Sequence, residues 1–168
     1  LIEPGRPTVA GMLRHQGYRT ACLGKWHLGW DWPTLDGTHP NETLPFGEGD
    51  RDKRWDFGLK NIDYAKRIPG GPLDCGFDSY FGVDVPNFAP YTWFEDDHLT
   101  DLPTEEKPAV MYGNPGKAKA GWKLEQMIPE FTRRAVEFIT AQSAAQQGHE
   151  PPPFFLYFPL TTPHSPIV

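Results

Sequence analysis

Residues 24–29 read Gly-Lys-Trp-His-Leu-Gly, and residues 161–166 read Thr-Thr-Pro-His-Ser-Pro. Together they supply one fixed cation, Lys25, and two imidazoles, His27 and His164. A lysine is a compact positive charge with three rotatable donors, and a histidine donates, accepts or transfers a proton near neutral pH. Such a set suits an anion whose charge spreads as a bond breaks. Preorganised donors lower that barrier, and a proton shuttle lets one nucleophile turn over. Side chains two apart on an extended segment point the same way, so Lys25 and His27 are expected on one face and Trp26 on the other. Gly24 and Gly29 permit close backbone approach or a sharp turn. Pro163 and Pro166 stiffen the mount of His164. The plain alternatives are a solvated strand end at Lys25 and an exposed loop histidine at 164.

The elements that must position these residues alternate between helix and strand. Pro7 and Thr8 are helix-start signals, Val9, Met12 and Leu13 fall at helical spacing, and Gly17 stands where a left-handed cap belongs. Residues 18–23 then form a compact apolar run, expected to be a strand that delivers Lys25 and His27 at its carboxyl end. Ile128, Phe131, Ala135, Phe138, Ile139 and Gln142 trace one helix face, opposite Glu130, Arg133, Arg134 and Glu137, with Pro129 tolerated in the first turn. Residues 154–160, FFLYFPL, read as a strand covered on both faces in a parallel sheet. In such sheets ligands sit beyond the carboxyl ends of the strands, so parallel pairing would bring Lys25, His27 and His164 to one edge. Between residues 30 and 123 periodicity fades, with short strands expected near 62–64 and 80–83. A region this long and irregular builds or lids a site, or is an elaborated surface loop.

Composition narrows the partners. The chain has 168 residues and a net charge of −6, which argues against nonspecific nucleic-acid binding because no basic stripe is available to displace counterions. No apolar run approaches the roughly 20 residues needed to span a bilayer. Cys22 and Cys75 have neither metal-site spacing nor scaffold density, and read as buried thiols. Asn41 opens an N-x-T sequon that matters only in a secretory pathway. The chain opens on Leu1 and stops at Val168, and both ends read as cut.

The stretch PTVAGMLRHQGYRTACLGKWHLG, residues 7–29, resembles the helix and the phrase G-Y-x-T-x-x-x-G-K-W-H-L-G of type I, formylglycine-dependent sulfatases. GFDSYFG, residues 76–82, resembles their G-F-D-x-x-x-G segment, and PFFLYFPLTTPHSP resembles their strand and histidine turn. The resemblance implies an alkaline-phosphatase-like α/β three-layer sandwich with a largely parallel sheet, of which this chain is a partial domain. Residues 1–168 would be an internal fragment of the N-terminal catalytic domain. It implies that Lys25 bridges the substrate sulfate and the formylglycine hydrate, that His27 is the base acting on that hydrate, and that His164 donates to the ester. Asn87 would replace a serine that touches the sulfate in some relatives. Trp30, Trp32, Trp55, Tyr91 and Trp93 either stack on sugar rings or pack loops onto the sheet. The substrate would be a sulfated small molecule or glycan, and the full-length protein would be exported to a periplasmic, extracellular or lysosomal space.

The departures from the family are specific. Neither cysteine lies in a C-x-P-S-R context, so the formylglycine nucleophile is expected outside the chain, upstream of Leu1. The aspartates and asparagine of the calcium site are missing too, and Asp96 and Asp97 stand in the middle loop rather than after an N-terminal strand. No metal ligand is therefore assigned, and the chain alone is expected to be inactive. Two other readings remain. One is a phosphodiesterase or phosphatase of the same superfamily, which GKWHLG disfavours. The other is a noncatalytic carbohydrate-binding module, in which Lys25, His27 and His164 would lie far apart.

Overall fold

The computed structural model of the protein describes residues 2–39, 60–143 and 151–163. Helix α1, Val9–His15, starts where the Thr8 hydroxyl accepts the Gly11 N–H at 3.0 Å, and Gly17 leaves it at φ 85°. An N-cap of this kind satisfies a backbone donor the helix cannot. Its spacing was legible, but its inward face was not: Ala10 is buried, while Val9 and Met12 are exposed. The reason is Gly76, where an added Cβ would stand 2.4 Å from the Gly11 nitrogen. The helix backbone itself is the contact surface, so small residues face the sheet.

Strand β1, Arg19–Lys25, runs parallel to β2, Ser79–Val83, on one side and to β7, Phe154–Tyr157, on the other. The strands β3, Phe94–Glu95, and β4, His98–Leu99, add an antiparallel ribbon beside β2. The sheet order is β4-β3-β2-β1-β7. Two-residue strands β5, Glu105–Glu106, and β6, Lys117–Ala118, form a separate pair. The long strands are parallel, as the alternation of helix and strand predicts. The β3 to β6 ribbons are too short to leave a period in the sequence. The strand expected near 62–64 reduces to an isolated bridge between Ile62 and Thr34.

Helix α2, Met127–Ser143, lies across one face of the sheet, with Pro129 in its first turn. Its Met127, Phe131 and Ala135 pack with Leu23, Phe81 and Val83 of the sheet. Alternate residues of the same strands, Cys22 and Tyr80, turn to the α1 face and pack with Ala10, Trp30 and Phe94. Burying a side chain the size of Phe131 stabilises by roughly 1.5–3 kcal/mol, so both faces hold the sheet between helices in three layers. Arg134 leaves the polar face of α2, lies 4.0 Å over the Phe81 ring and bonds Glu95 at 3.0 Å.

One expectation is corrected at β7. It pairs with β1 but is the last strand of the described sheet, and Phe154 and Tyr157 remain partly exposed. An apolar run signals burial without saying how many of its faces are covered by this chain.

Candidate functional site

The two ends of β1 are built differently. At its amino end Thr20 and Asp78 are locked together. The Asp78 carboxylate accepts the Thr20 N–H at 2.8 Å and the Thr20 hydroxyl at 3.1 Å, and it pairs with Arg14 at 2.8 Å. The Asp78 N–H donates to the Thr20 carbonyl at 2.9 Å. The aspartate of GFDSYFG is thus a clamp joining α1, β1 and β2.

At the carboxyl end the strands press close. An added Cβ at Gly24, where φ is 136°, would lie 2.1 Å from the Pro159 carbonyl oxygen, and one at Gly82 would lie 1.8 Å from the Gly24 oxygen. Lys25 donates its N–H to that Pro159 oxygen at 2.8 Å and stands opposite Val83 in the register. The segment leading from β7 toward residue 163 therefore runs against Gly24 and Lys25. His164 lies outside the described residues.

Beyond Lys25 the strand ends. His27 takes a left-handed backbone at φ 52°, followed by Gly29 at 98°. The buried Trp26 indole donates to the Gly29 carbonyl at 2.8 Å and meets Phe77 edge-on, closing the turn from inside. The regular strand ends at Lys25, so His27 is set by the left-handed turn, while Trp26 between them is buried and the two flanking residues are not. Both side chains nevertheless belong to one edge. His27, Leu28, Gly29, Ile2 and Asp84 line an open cavity of about 440 Å³, and the Lys25 charge acts on Asp84.

Asp84 is the residue that the sequence reading missed. It directly succeeds β2, where the chain passes the end of β1, and a carboxylate placed one residue beyond a strand in GVDVP was the available signal. Some of the residue faces the cavity, yet its carboxyl is closely enclosed, and burial pushes its pKa up to about 6. The Trp30 side chain, the His27 backbone N–H and the Lys25 charge oppose that rise. Desolvation wins over all three.

Asn87 is placed elsewhere. The Asn114 N–H and the Tyr91 hydroxyl both donate to its carbonyl, at 2.9 and 3.0 Å, tying it to the segment before β6. It lines a second cavity of about 420 Å³ with Lys107, Tyr112 and Asn114. The aromatic candidates are core: Trp30 stacks on Phe94 at 4.9 Å, Tyr91 is 1% exposed, and Trp93 packs on Phe81, Trp122 and Phe131. Trp32 is partly buried against Tyr64. Trp55 lies outside the described residues.

The described residues do not fit a calcium ion or a formylglycine. No three His, Cys, Asp or Glu side chains among them cluster as ligands. Asp96 accepts the Tyr80 N–H at 3.0 Å, and Asp97 pairs with Arg67 at 2.5 Å, so both serve the β3–β4 turn. Cys22 is wholly buried on the α1 face with its thiol pKa pushed up by burial, and Cys75 is buried as well. Neither thiol lines the cavity.

Comparison with known proteins places this geometry. No family model matches the chain. It is 28% identical to an N-acetylgalactosamine-6-O-sulfatase of Bacteroides thetaiotaomicron over 100% of its own length and 34% of the other. It is 27% identical to mouse arylsulfatase G over 95% of its length and 26% of that protein. A mouse N-acetylgalactosamine-6-sulfatase matches at 26% identity over 93% of this chain and 22% of the other. The chain is similar to sulfatases over nearly its whole length. A solved chain from work on the metabolism of multiple glycosaminoglycans by Bacteroides thetaiotaomicron superposes with a TM-score of 0.62 at 21% identity. That match covers 98% of this chain and 35% of the solved one, and it carries the fold. The sulfatase-like chain thus spans about a quarter to a third of the curated relatives it matches. Among the described residues no helix is long and apolar enough to cross a membrane.

Proposed function

We propose that this chain supplies the sulfate-binding and proton-transfer wall of a sulfuric ester hydrolase acting on a sulfated small molecule or glycan. It forms part of the N-terminal catalytic domain, with the nucleophile and the calcium site contributed by residues outside the chain. The observation that carries the reading is the turn at residues 24–29. In a chain similar to sulfatases, it puts a lysine and a left-handed histidine at the carboxyl edge of a parallel sheet, beside an open cavity.

Each residue has a separate task. The Lys25 ammonium binds sulfate oxygens, whose negative charge grows as the ester bond breaks. The His27 imidazole moves a proton at the reacting centre, and His164 donates to the departing ester oxygen. Asn87, the candidate substrate contact in place of a serine, lines the second cavity. The printed names of the relatives, two of them N-acetylgalactosamine-6-sulfatases, favour a sulfated sugar, and export of the full-length protein belongs to the same proposal.

Titrating the chain with inorganic sulfate, monitored by backbone amide shifts, tests this reading. Binding is expected to perturb residues 24–29 and to weaken at least about tenfold in Lys25→Ala, the loss of one desolvated charge contact. Sulfate that binds elsewhere, or binds Lys25→Ala equally well, would sink it.

A further inference from the structure

The cavity beside His27 contains a negative group that an anion-binding site does not need. Asp84 and His27 line it together, and the His27 backbone N–H acts on the Asp84 carboxyl, favouring its charged form. That N–H belongs to a left-handed residue, a conformation that a bulky side chain adopts only when its surroundings hold it there. The opposite side of the same turn is held by the Trp26 indole on the Gly29 carbonyl. The turn is thus pinned at two points, one neutral and one ionisable.

We propose that Asp84 is a positioning and gating residue of the anion site: it fixes the His27 turn through the backbone N–H, and its ionised carboxyl repels the anion that Lys25 attracts. This rests on the sulfate-binding reading above and deepens it. When Asp84 takes up a proton the cavity loses one negative charge while the carboxyl keeps an oxygen to accept the His27 N–H. The anion then binds more tightly without loss of the turn.

The groups that face Asp84 come from several packed elements. Lys25 belongs to β1, His27 to the turn after it, and the Trp30 side chain to the segment just past Gly29. Tyr80, from β2, is buried with its hydroxyl within hydrogen-bonding distance of the Gly24 and Val83 carbonyls, at 3.2 and 3.0 Å, and Asp84 acts on it electrostatically. The remaining lining residues, Ile2, Leu28 and Gly29, carry no side-chain charge. Of these groups Asp84 is the one that its enclosure moves toward neutral pH.

The test uses the isotope-labelled full chain and sodium sulfate as the probe. The His27 backbone amide shift is expected to inflect near pH 6, and the inflection to vanish in Asp84→Asn. Sulfate affinity at about pH 7.5 is expected to be about threefold higher in Asp84→Asn than in the unaltered chain, one unit charge acting across several ångströms of water-like medium. That difference should close by about pH 5, where the Asp84 carboxyl of the unaltered chain is protonated and as neutral as the asparagine. His27→Gln removes the imidazole as a source of the pH dependence: its weaker sulfate binding should still tighten as pH falls through 6. It also serves if Asp84→Asn fails to fold. A His27 amide with no inflection there, or identical pH profiles with and without Asp84, overturns the gating while leaving sulfate binding in place. An inflecting amide with no sulfate bound at any pH overturns the sulfate reading and the gating with it.

Discussion

The amino and carboxyl ends of β1, a strand of seven residues inside the sulfatase-like phrase, are opposites in how their polar groups are treated. At the amino end the Asp78 carboxylate meets a backbone N–H, a hydroxyl and a guanidinium, and Thr20 is 1% exposed. At the carboxyl end Asp84 is enclosed against its own interest, His27 is held left-handed, and Lys25 has no carboxylate in ion-pair contact among the described residues. Satisfied groups make a joint, whereas groups held in unfavourable states make a place where a ligand has something to gain. A shared motif phrase can therefore join two jobs: G-Y-x-T and G-F-D fasten the sheet, and G-K-W-H-L-G builds the edge.

The largest break in this contrast is expected from Asp78→Ala. It removes three bonds to a charged acceptor and strands the buried Thr20 N–H, which together cost about 3 kcal/mol. Urea unfolding measures it, and a loss below about 1 kcal/mol would mean the clamp is ornamental. Sulfate affinity of the fraction still folded should be unchanged, because the clamp lies a full strand away from the cavity.

Asp84→Asn should move stability the other way, and only at one end of the pH scale. The free carboxyl titrates near 3.9 and the folded one near 6, so the native state holds its proton more tightly than the unfolded chain does. Below about pH 4 both states are protonated and nothing is lost. As pH rises from about 4 toward 6 the unfolded chain gives up its proton while the native state still holds one, so the unfolded state gains and stability falls. Above that the penalty is constant, up to about 3 kcal/mol for a shift of this size. The asparagine variant should be more stable than the parent at about pH 8 and equal to it near pH 4, by thermal melting at both. Equal melting at both pH values would show that the carboxyl is not burdened by its enclosure.

The same contrast explains what could be read in the sequence. Helix α2 was legible because Phe131 and Ala135 recur at helical spacing, and β1 because a compact apolar run precedes two glycine-bounded donors. The parallel pairing was legible in the alternation of helix and strand. The edge chemistry was legible only as residue types. That Asp84 sits beside His27 depends on Val83 pairing opposite Lys25, a register no local pattern encodes. The inward face of α1 was hidden for a similar reason, since it is set by the backbone of Gly11 against Gly76. Trp30 and Tyr91 could have been sugar platforms or core by composition, and only packing decided for core.

The smallest expected effect is also the most discriminating, because it changes sign between adjacent residues. His27 pays for a left-handed backbone that glycine adopts freely, so His27→Gly relieves about 1 kcal/mol of strain, partly offset by the greater freedom of glycine in the unfolded chain. The net is a gain of about 0.5 kcal/mol, with sulfate binding weakened through the lost imidazole. Leu28 is partly exposed and has no left-handed backbone, so Leu28→Gly should cost about 0.5–1 kcal/mol. Chemical unfolding of the two variants side by side tests whether strain is stored at the histidine. If both glycines destabilise equally, no strain is stored at His27, and the carboxyl end of β1 is no more strained than the clamp at its start.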